Sequence, residues 1–459
     1  MHKALDTAAR LAREFLATVA QRPVGARATH QDLRTALGGA LPEEGMDAEQ
    51  VVAELARAAD PGIVASAGPR YFGFVIGGGV PAALAADWLA AAWDQDAGMY
   101  VAGPSAAVVE DVVAEWLLDL FGLPRGASVG FVTGCQMANF TGLAAARHEV
   151  LARAGWDLED RGLQGAPRVN VVVGAQAHIT IFTALRMLGL GSGTARGVTA
   201  DGQGRMRPEA LRETLRDCDG PTIVCAQAGE VNTGAFDPFT EIAPLCREHG
   251  AWLHVDGAFG LWAATSASRR RATRGVELAD SWATDAHKWL NVPYDSGVAI
   301  VAHPDAHRAA FTKRADYLIR LGGGTRDPAD YTPEASRRAR GFAIYAALRS
   351  LGRRGVAALV DRCCALAQRM AQQLRASKAI EILNDVELNQ VLVRFRAPAG
   401  VDHAAHTRAV IDRVQRDGTC WLSGTTWEGR AAMRISVSGW STTEQDIDRS
   451  AAAILASLE

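Results

Sequence analysis

Over roughly the first 60 positions apolar residues recur at helical spacing, and no strand-like alternation interrupts them. The opening stretch MHKALDTAARLAREFL reads as an amphipathic helix carrying both signs of charge, and Gly38, Gly39 and Pro42 break the pattern further on. From about 65 to 320 the pattern changes to short apolar runs separated by helical stretches. Residues 129–132, 169–173, 222–225, 252–255 and 298–301 are the predicted strands, and 280–284 is a further strand-like run. Strands spaced by helices imply a doubly wound, largely parallel sheet. Beyond Tyr345 a helix is predicted near 357–376, strands near 387–395 and 431–437, and helices near 402–416 and 443–457, which reads as a smaller α+β domain. The predicted organisation is therefore an N-terminal helical segment (1–60), a large α/β domain (61–340) and a small C-terminal α+β domain (341–459).

Composition narrows the function classes. Of 459 residues 48 are basic and 51 acidic, and no basic stripe suggests nucleic acid, so small-molecule chemistry is expected. Seven cysteines, with no CxxC spacing, point to a reducing, cytoplasmic setting and to no metal site. No apolar run reaches the ~20 residues of a membrane span, so no membrane partner is expected.

The chemistry is concentrated in two segments, LHVDG at 253–257 and TDAHKWL at 284–290. Asp256 closes an apolar strand, and Lys288 follows a second strand-like run between His287 and Trp289. A lysine amine can form a Schiff base with an aldehyde cofactor, and a carboxylate can hold a proton on that cofactor's pyridine nitrogen. Taken singly, Asp256 could be a helix cap and His-Lys is a common dipeptide; the two segments together suggest pyridoxal phosphate. A third candidate is VGFVTGCQMAN at 129–139, where a strand runs into a turn and a helix. Amides at such a helix start bind phosphate, although strand-turn-helix is also ordinary connectivity. His178 follows another strand, a place where a structural histidine is common, and His254 on its strand is most simply structural.

These segments resemble those of the group II amino-acid decarboxylases, pyridoxal enzymes of the aspartate aminotransferase fold (fold type I). The similarity takes in 70–73 (RYFG), Pro104, the turn at 133–139, 234–237 (GAFD), 336–338 (SRR) and 433–436 (MRIS), and so most of 60–440. The resemblance implies pyridoxal 5′-phosphate as cofactor, a homodimer, and decarboxylation of an L-amino acid with Lys288, His178, Asp256 and Tyr331 as catalytic residues. It implies cofactor contacts from Gly134, Cys135, Gln136, His178, Asn232, Asp256, Ala258, Asp285, His287 and Lys288, with His178 and Ala258 on opposite faces of the ring.

The chain departs from that family's pattern in three places. Asp285 stands where many members carry Asn, and a carboxylate facing a phosphate dianion is repulsive unless it points to a donor elsewhere. Val231 replaces a cofactor-contacting Thr, leaving Asn232 or Thr233 to substitute. The stretch 322–338 resembles a shortened catalytic loop, in which Gly322, Gly323 and Gly324 supply flexibility and Tyr331, the loop's only phenol, is the proton donor or else a lid contact. By position Tyr71, Phe72, Phe74, Val75, Ile76 and Tyr100 correspond to a substrate pocket. Its apolar character favours an aromatic side chain, while a glutamate or diamino-acid substrate stays open through partner-chain residues entering the pocket or through Arg320 or Arg326 reaching it. Arg434 is either a carboxylate clamp or half of a structural ion pair. The alternatives are another fold type I enzyme (an aminotransferase, an aldehyde-forming decarboxylase or a carbon-carbon lyase) and a non-catalytic relative.

Overall fold

The computed structural model describes residues 2–313 and 325–458; Arg320, Gly322, Gly323 and Gly324 lie outside the described residues. The chain divides into two compact units. One comprises Gly77–Gln368 and Asn384–Gln390, the other Met1–Ile76, Arg369–Leu383 and Val391–Glu459.

The larger unit is built on seven strands: β1 (Ser128–Val132), β2 (Asn170–Gly174), β3 (Arg196–Val198), β4 (Thr222–Gln227), β5 (Trp252–Asp256), β6 (Ser281–Asp285) and β7 (Gly297–Val301). Their order is β1-β7-β6-β5-β4-β2-β3. The pairs β2–β3, β2–β4, β4–β5 and β5–β6 are parallel, and β7 runs antiparallel to β1 and β6. Every residue of β2, β4, β5, β6 and β7 is buried, which explains why β2, β4 and β7 read as nearly continuous apolar runs rather than as alternation. All the predicted strands are present. Of these seven strands β3 escaped, because its three residues Arg-Gly-Val carry no apolar pattern, and in the smaller sheet the strands Ile380–Ile382 and Ser423–Trp427 likewise escaped.

Since β1, β5 and β6 point the same way, the turn after Val132, Asp256 and Asp285 all fall at the carboxyl edge of the sheet. This edge is where open α/β sheets collect ligands. The helix Cys135–Arg153 packs on β5, β6 and β7. Glycines set its approach: a Cβ on Gly142 would stand 2.9 Å from His254 Cε1, and one on Gly297 would stand 2.4 Å from Gly134 Cα.

The smaller unit combines the helices His2–Thr18, His30–Leu37 and Ala48–Ala59 with His403–Asp417, Glu444–Ala456 and a second sheet. That sheet contains β8 (Ile380–Ile382), β9 (Gln390–Phe395), β10 (Ser423–Trp427) and β11 (Arg430–Ser436) in the order β10-β11-β9-β8. Capping boxes at Thr29 with Asp32 and at Thr443 with Asp446 fix two of the helix starts by satisfying amides that have no partner inside the helix. The helix expected near 357–376 begins earlier, at Gly341, and is broken by Gly352, whose φ of 62° lies in the left-handed region. No helix among the described residues is long and apolar enough to cross a membrane.

Candidate active site

Asp256, the last residue of β5, is 5% exposed and makes three contacts that all deliver donors to it. The Ala258 amide reaches Oδ1 at 3.1 Å, the Cys135 thiol reaches the same oxygen at 3.4 Å, and Asn139 Nδ2 reaches Oδ2 at 3.0 Å. A carboxylate can only accept, so this shell suits the ionised form.

One strand away, Asp285 ends β6 and is 2% exposed. Its Oδ1 accepts the first amide of the Cys135–Arg153 helix at 2.6 Å and lies 3.3 Å from His287 Nε2, while Oδ2 lies 3.0 Å from Lys288 Nζ. The carboxylate thus points to donors, as its repulsion from a phosphate would require. Burial alone would favour the neutral Lys288 amine, but Asp285, backed by Cys135 and Asp256, outweighs it and holds the ammonium pKa above its ordinary value. His287 accepts the Ser296 amide on Nδ1 at 3.0 Å, so in the neutral ring the proton sits on Nε2, facing Asp285. Burial lowers the His287 pKa despite Asp285, and the Tyr294 ring stacks on it at 4.2 Å. Burial also pushes the Cys135 thiol up, with Asp256 and Asp285 adding to the effect, so Cys135 is not a nucleophile here.

His178 caps the helix Ile179–Met187, and its Nδ1 meets Thr180 Oγ1 at 2.8 Å. Asn139 Nδ2 lies 3.3 Å from that same hydroxyl, which ties His178 to the Asp256 shell. Ala258 packs against the buried cluster that contains Val132, Cys135 and Ala283. A Cβ on Gly134 would lie 3.1 Å from His287 Cε1 and 3.4 Å from Asp285 Oδ1, so a glycine lets the helix start close on these groups. The amides of Gln136 and Met137, next along the helix, have no acceptor among the described residues.

The fold thus brings together Gly134, Cys135, Gln136, His178, Asp256, Ala258, Asp285, His287 and Lys288. Other predicted site residues are engaged elsewhere. Asn232 donates its amide and its Nδ2 to Glu230 at 2.7 and 2.9 Å, within the turn that follows β4. Tyr331 sits by the opening half of β1, the end away from the Gly134 turn: its carbonyl accepts from His307 Nε2 at 3.0 Å, and its ring lies edge-on to His307 and beneath Arg326. Arg326 is itself bound to Asp111 at 2.9 Å. Tyr71, Phe72, Phe74, Val75 and Ile76 belong to the smaller unit, where Tyr71 stacks on Trp421 at 5.0 Å, Phe72 and Val75 are each 1% exposed, and Phe74 and Ile76 retain exposure. Tyr100 donates its amide to Asp327 at 2.9 Å in the larger unit. Arg434 lies on β11, opposite Ser423.

The model of the pyridoxal-dependent decarboxylase conserved domain matches residues 31–397. The chain belongs to that family. Within this decarboxylase family it is 26% identical over 435 residues to the aromatic-L-amino-acid decarboxylase of Bacillus atrophaeus, a match covering 92% of this chain and 88% of that one. It is 28% identical over 339 residues to an acidic amino acid decarboxylase of Bos taurus, covering 72% of this chain. The latter match spans 64% of the bovine protein, just under two thirds of its length. In fold it is similar to Oryza sativa TDC solved with PLP and tryptamine, with a TM-score of 0.93, 24% identity, and coverage of 100% of this chain and 97% of that one.

The donor set fits the cofactor named by the family. Lys288 Nζ would meet the aldehyde, the Asp256 carboxylate would meet the pyridine nitrogen, and the Gln136 and Met137 amides at a helix start would take the phosphate. Asp285 then tunes the lysine. With Asp285→Asn the ammonium loses its main counter-charge, so its pKa falls and more amine is present at neutral pH. Capture of pyridoxal phosphate, followed by stopped-flow absorbance against pH, is expected to quicken by about tenfold at pH 7 in the variant, its pH profile moving to lower pH. A superimposable profile would remove Asp285 from this role.

Proposed function

We propose that this protein removes the α-carboxylate of an L-amino acid as carbon dioxide, working as a cytoplasmic homodimer with pyridoxal phosphate. Support comes above all from the placement of Lys288, Asp256 and Asp285 on one sheet edge beside the open amides of a helix start. Pyridoxal phosphate, when bound, draws the electrons of the breaking Cα–carboxylate bond into its protonated ring. The chain supplies the rest. Lys288 presents Nζ to the aldehyde carbon, and Asp285 balances the charge on that nitrogen. Asp256 holds a proton at the pyridine nitrogen, and Gln136 and Met137 take the phosphate on their amides. His178 and Ala258 would hold the ring between them, as the family resemblance implies.

An aromatic substrate is favoured. An acidic side chain would need a cation with charge to spare, and Arg326, the one of the two candidate arginines that lies among the described residues, is paired with Asp111 at 2.9 Å. A panel of the common L-amino acids with ornithine and diaminobutyrate, read for amine and carbon dioxide, tests this directly. Tryptophan, tyrosine or phenylalanine should give equal yields of both. Turnover confined to glutamate or aspartate would overturn the aromatic preference, and no carbon dioxide from any of them would overturn decarboxylation.

The position of Tyr331 favours one second possibility. With its ring held against His307 and Arg326, this phenol is not beside Lys288. An aldehyde-forming oxidative reaction, in which dioxygen is consumed and ammonia and hydrogen peroxide accompany the aldehyde, is therefore read in the same assay from the aldehyde and peroxide.

A further inference from the structure

Trp252, His254 and Asp256 alternate along β5 and so present their side chains to one face of the sheet. Ser281 is the cross-strand partner of His254 on β6, and Asn139 comes down onto the same face from the helix Cys135–Arg153. Four hydrogen bonds join these five side chains: Trp252 Nε1 to Ser281 Oγ at 2.8 Å, Ser281 Oγ to His254 Nδ1 at 2.8 Å, His254 Nε2 to Asn139 Oδ1 at 2.9 Å, and Asn139 Nδ2 to Asp256 Oδ2 at 3.0 Å. Trp252, His254, Ser281 and Asn139 are each 0% exposed, so water cannot rearrange the chain.

The chemistry of the two ends fixes the direction of every bond. An indole N–H can only donate and a carboxylate can only accept. Asn139 therefore turns Nδ2 to Asp256 and Oδ1 to His254, so His254 must carry its proton on Nε2 and donate it to Asn139 Oδ1. The bare His254 Nδ1 then accepts from Ser281 Oγ, which in turn accepts from Trp252 Nε1. The opposite tautomer would leave two acceptors facing each other at the His254–Asn139 contact. Full burial agrees with this, since it drives the His254 pKa down to about 4, against the pull of Asp256, and keeps the ring neutral. Gly142 permits the geometry, because a Cβ there would come within 2.9 Å of His254 Cε1 and 3.4 Å of Ser281 Oγ.

We propose that Trp252, Ser281, His254 and Asn139 form a one-way hydrogen-bond chain whose task is to keep a donor aimed at Asp256, holding it as the carboxylate that secures the proton on the pyridine ring. These are positioning residues, and their use rests on the cofactor assignment above. If the chain loses its direction, Asn139 can flip and set its carbonyl oxygen against the Asp256 carboxylate, which weakens the charge at the point where the ring nitrogen binds.

The test has two arms. In the first, selectively 15N-labelled histidine in the cofactor-free wild-type protein is observed by NMR at pH 7. His254 is expected to be neutral with its proton on Nε2, and a proton on Nδ1 or a charged ring would overturn the chain. In the second, Ser281→Ala and Ser281→Thr are compared by absorbance titration with pyridoxal phosphate. Ser281→Ala is expected to populate the Nδ1–H tautomer and raise the Kd about tenfold, the scale of one charge-assisted hydrogen bond. Ser281→Thr, which keeps the hydroxyl, should restore both the tautomer and the affinity. A lowered Tm with an unchanged tautomer and Kd in Ser281→Ala would make Ser281 merely structural and overturn the proposal. Should the alanine variant not fold, the wild-type tautomer still decides. Failure of the wild-type protein to bind pyridoxal phosphate would sink the functional proposal while leaving the tautomer result standing, so the two failures are distinct.

Discussion

Lys288→Ala is expected to abolish covalent capture of pyridoxal phosphate and to lower turnover by on the order of a thousandfold or more, the usual scale for removing a covalent catalytic group. The side chain has one function in this setting. Its Nζ is placed 3.0 Å from Asp285 Oδ2 on the turn after β6. Without it Asp285 keeps the Cys135 amide at 2.6 Å, so the fold around the helix start should survive. Borohydride treatment followed by peptide mass analysis measures the first effect: the wild-type protein should carry the reduced cofactor on the peptide containing Lys288, and the variant should carry none. Label retained on another lysine would show that the wrong residue has been assigned. Non-covalent binding should persist, since the phosphate and ring contacts are made by other groups.

Asp256→Asn should separate binding from chemistry. The asparagine is nearly isosteric, and pyridoxal phosphate is expected to bind within about tenfold of wild type, because the phosphate amides of Gln136 and Met137 are untouched. Turnover should fall by on the order of a thousandfold, since a neutral amide cannot hold a positive proton on the ring nitrogen and the electron sink is lost. The local hydrogen bonds add to the effect. Ala258 N–H, the Cys135 thiol and Asn139 Nδ2 all point donors at this side chain. An amide there must turn its own NH2 toward at least one of them, leaving two donors face to face. Titration of cofactor binding beside single-turnover kinetics checks both halves. Near-normal turnover would refute the role of Asp256, and loss of binding equal to the loss of turnover would make the residue a simple anchor.

Both residues are legible in the amino-acid sequence, and the reason is local. Asp256 closes the mostly apolar strand β5 and Lys288 follows β6, both strands buried along their whole length, so the strand pattern marks both as ends of the same kind of edge. His254 is not legible in that way. Its neighbours in sequence are apolar, and only the pairing of β5 with β6 shows that Ser281 stands opposite it. The one sign in the sequence is Trp252, His254 and Asp256 at every second position, three polar groups on one face of a strand whose other residues have none. Tyr331 shows the converse. A loop position with the right residue type pointed to the site, yet His307 and Arg326 hold the ring by the far half of β1, contacts that no local pattern encodes. Asn232 likewise had the right chemistry and a nearer partner in Glu230.

The sequence by itself determined the longer apolar strands, the α/β class and the residue types at the ends of β5 and β6, because each depends on periodicity or on residue type at a strand end. Tertiary structure alone decided that β7 runs antiparallel between β1 and β6, that Asp285 turns its carboxylate to Lys288 and the Cys135 amide, and that Asn139, bonded to His254, aims a donor at Asp256. These depend on which buried polar groups meet across the sheet edge. A buried donor or acceptor is costly until it is paired, and its partner here lies on another element of the chain.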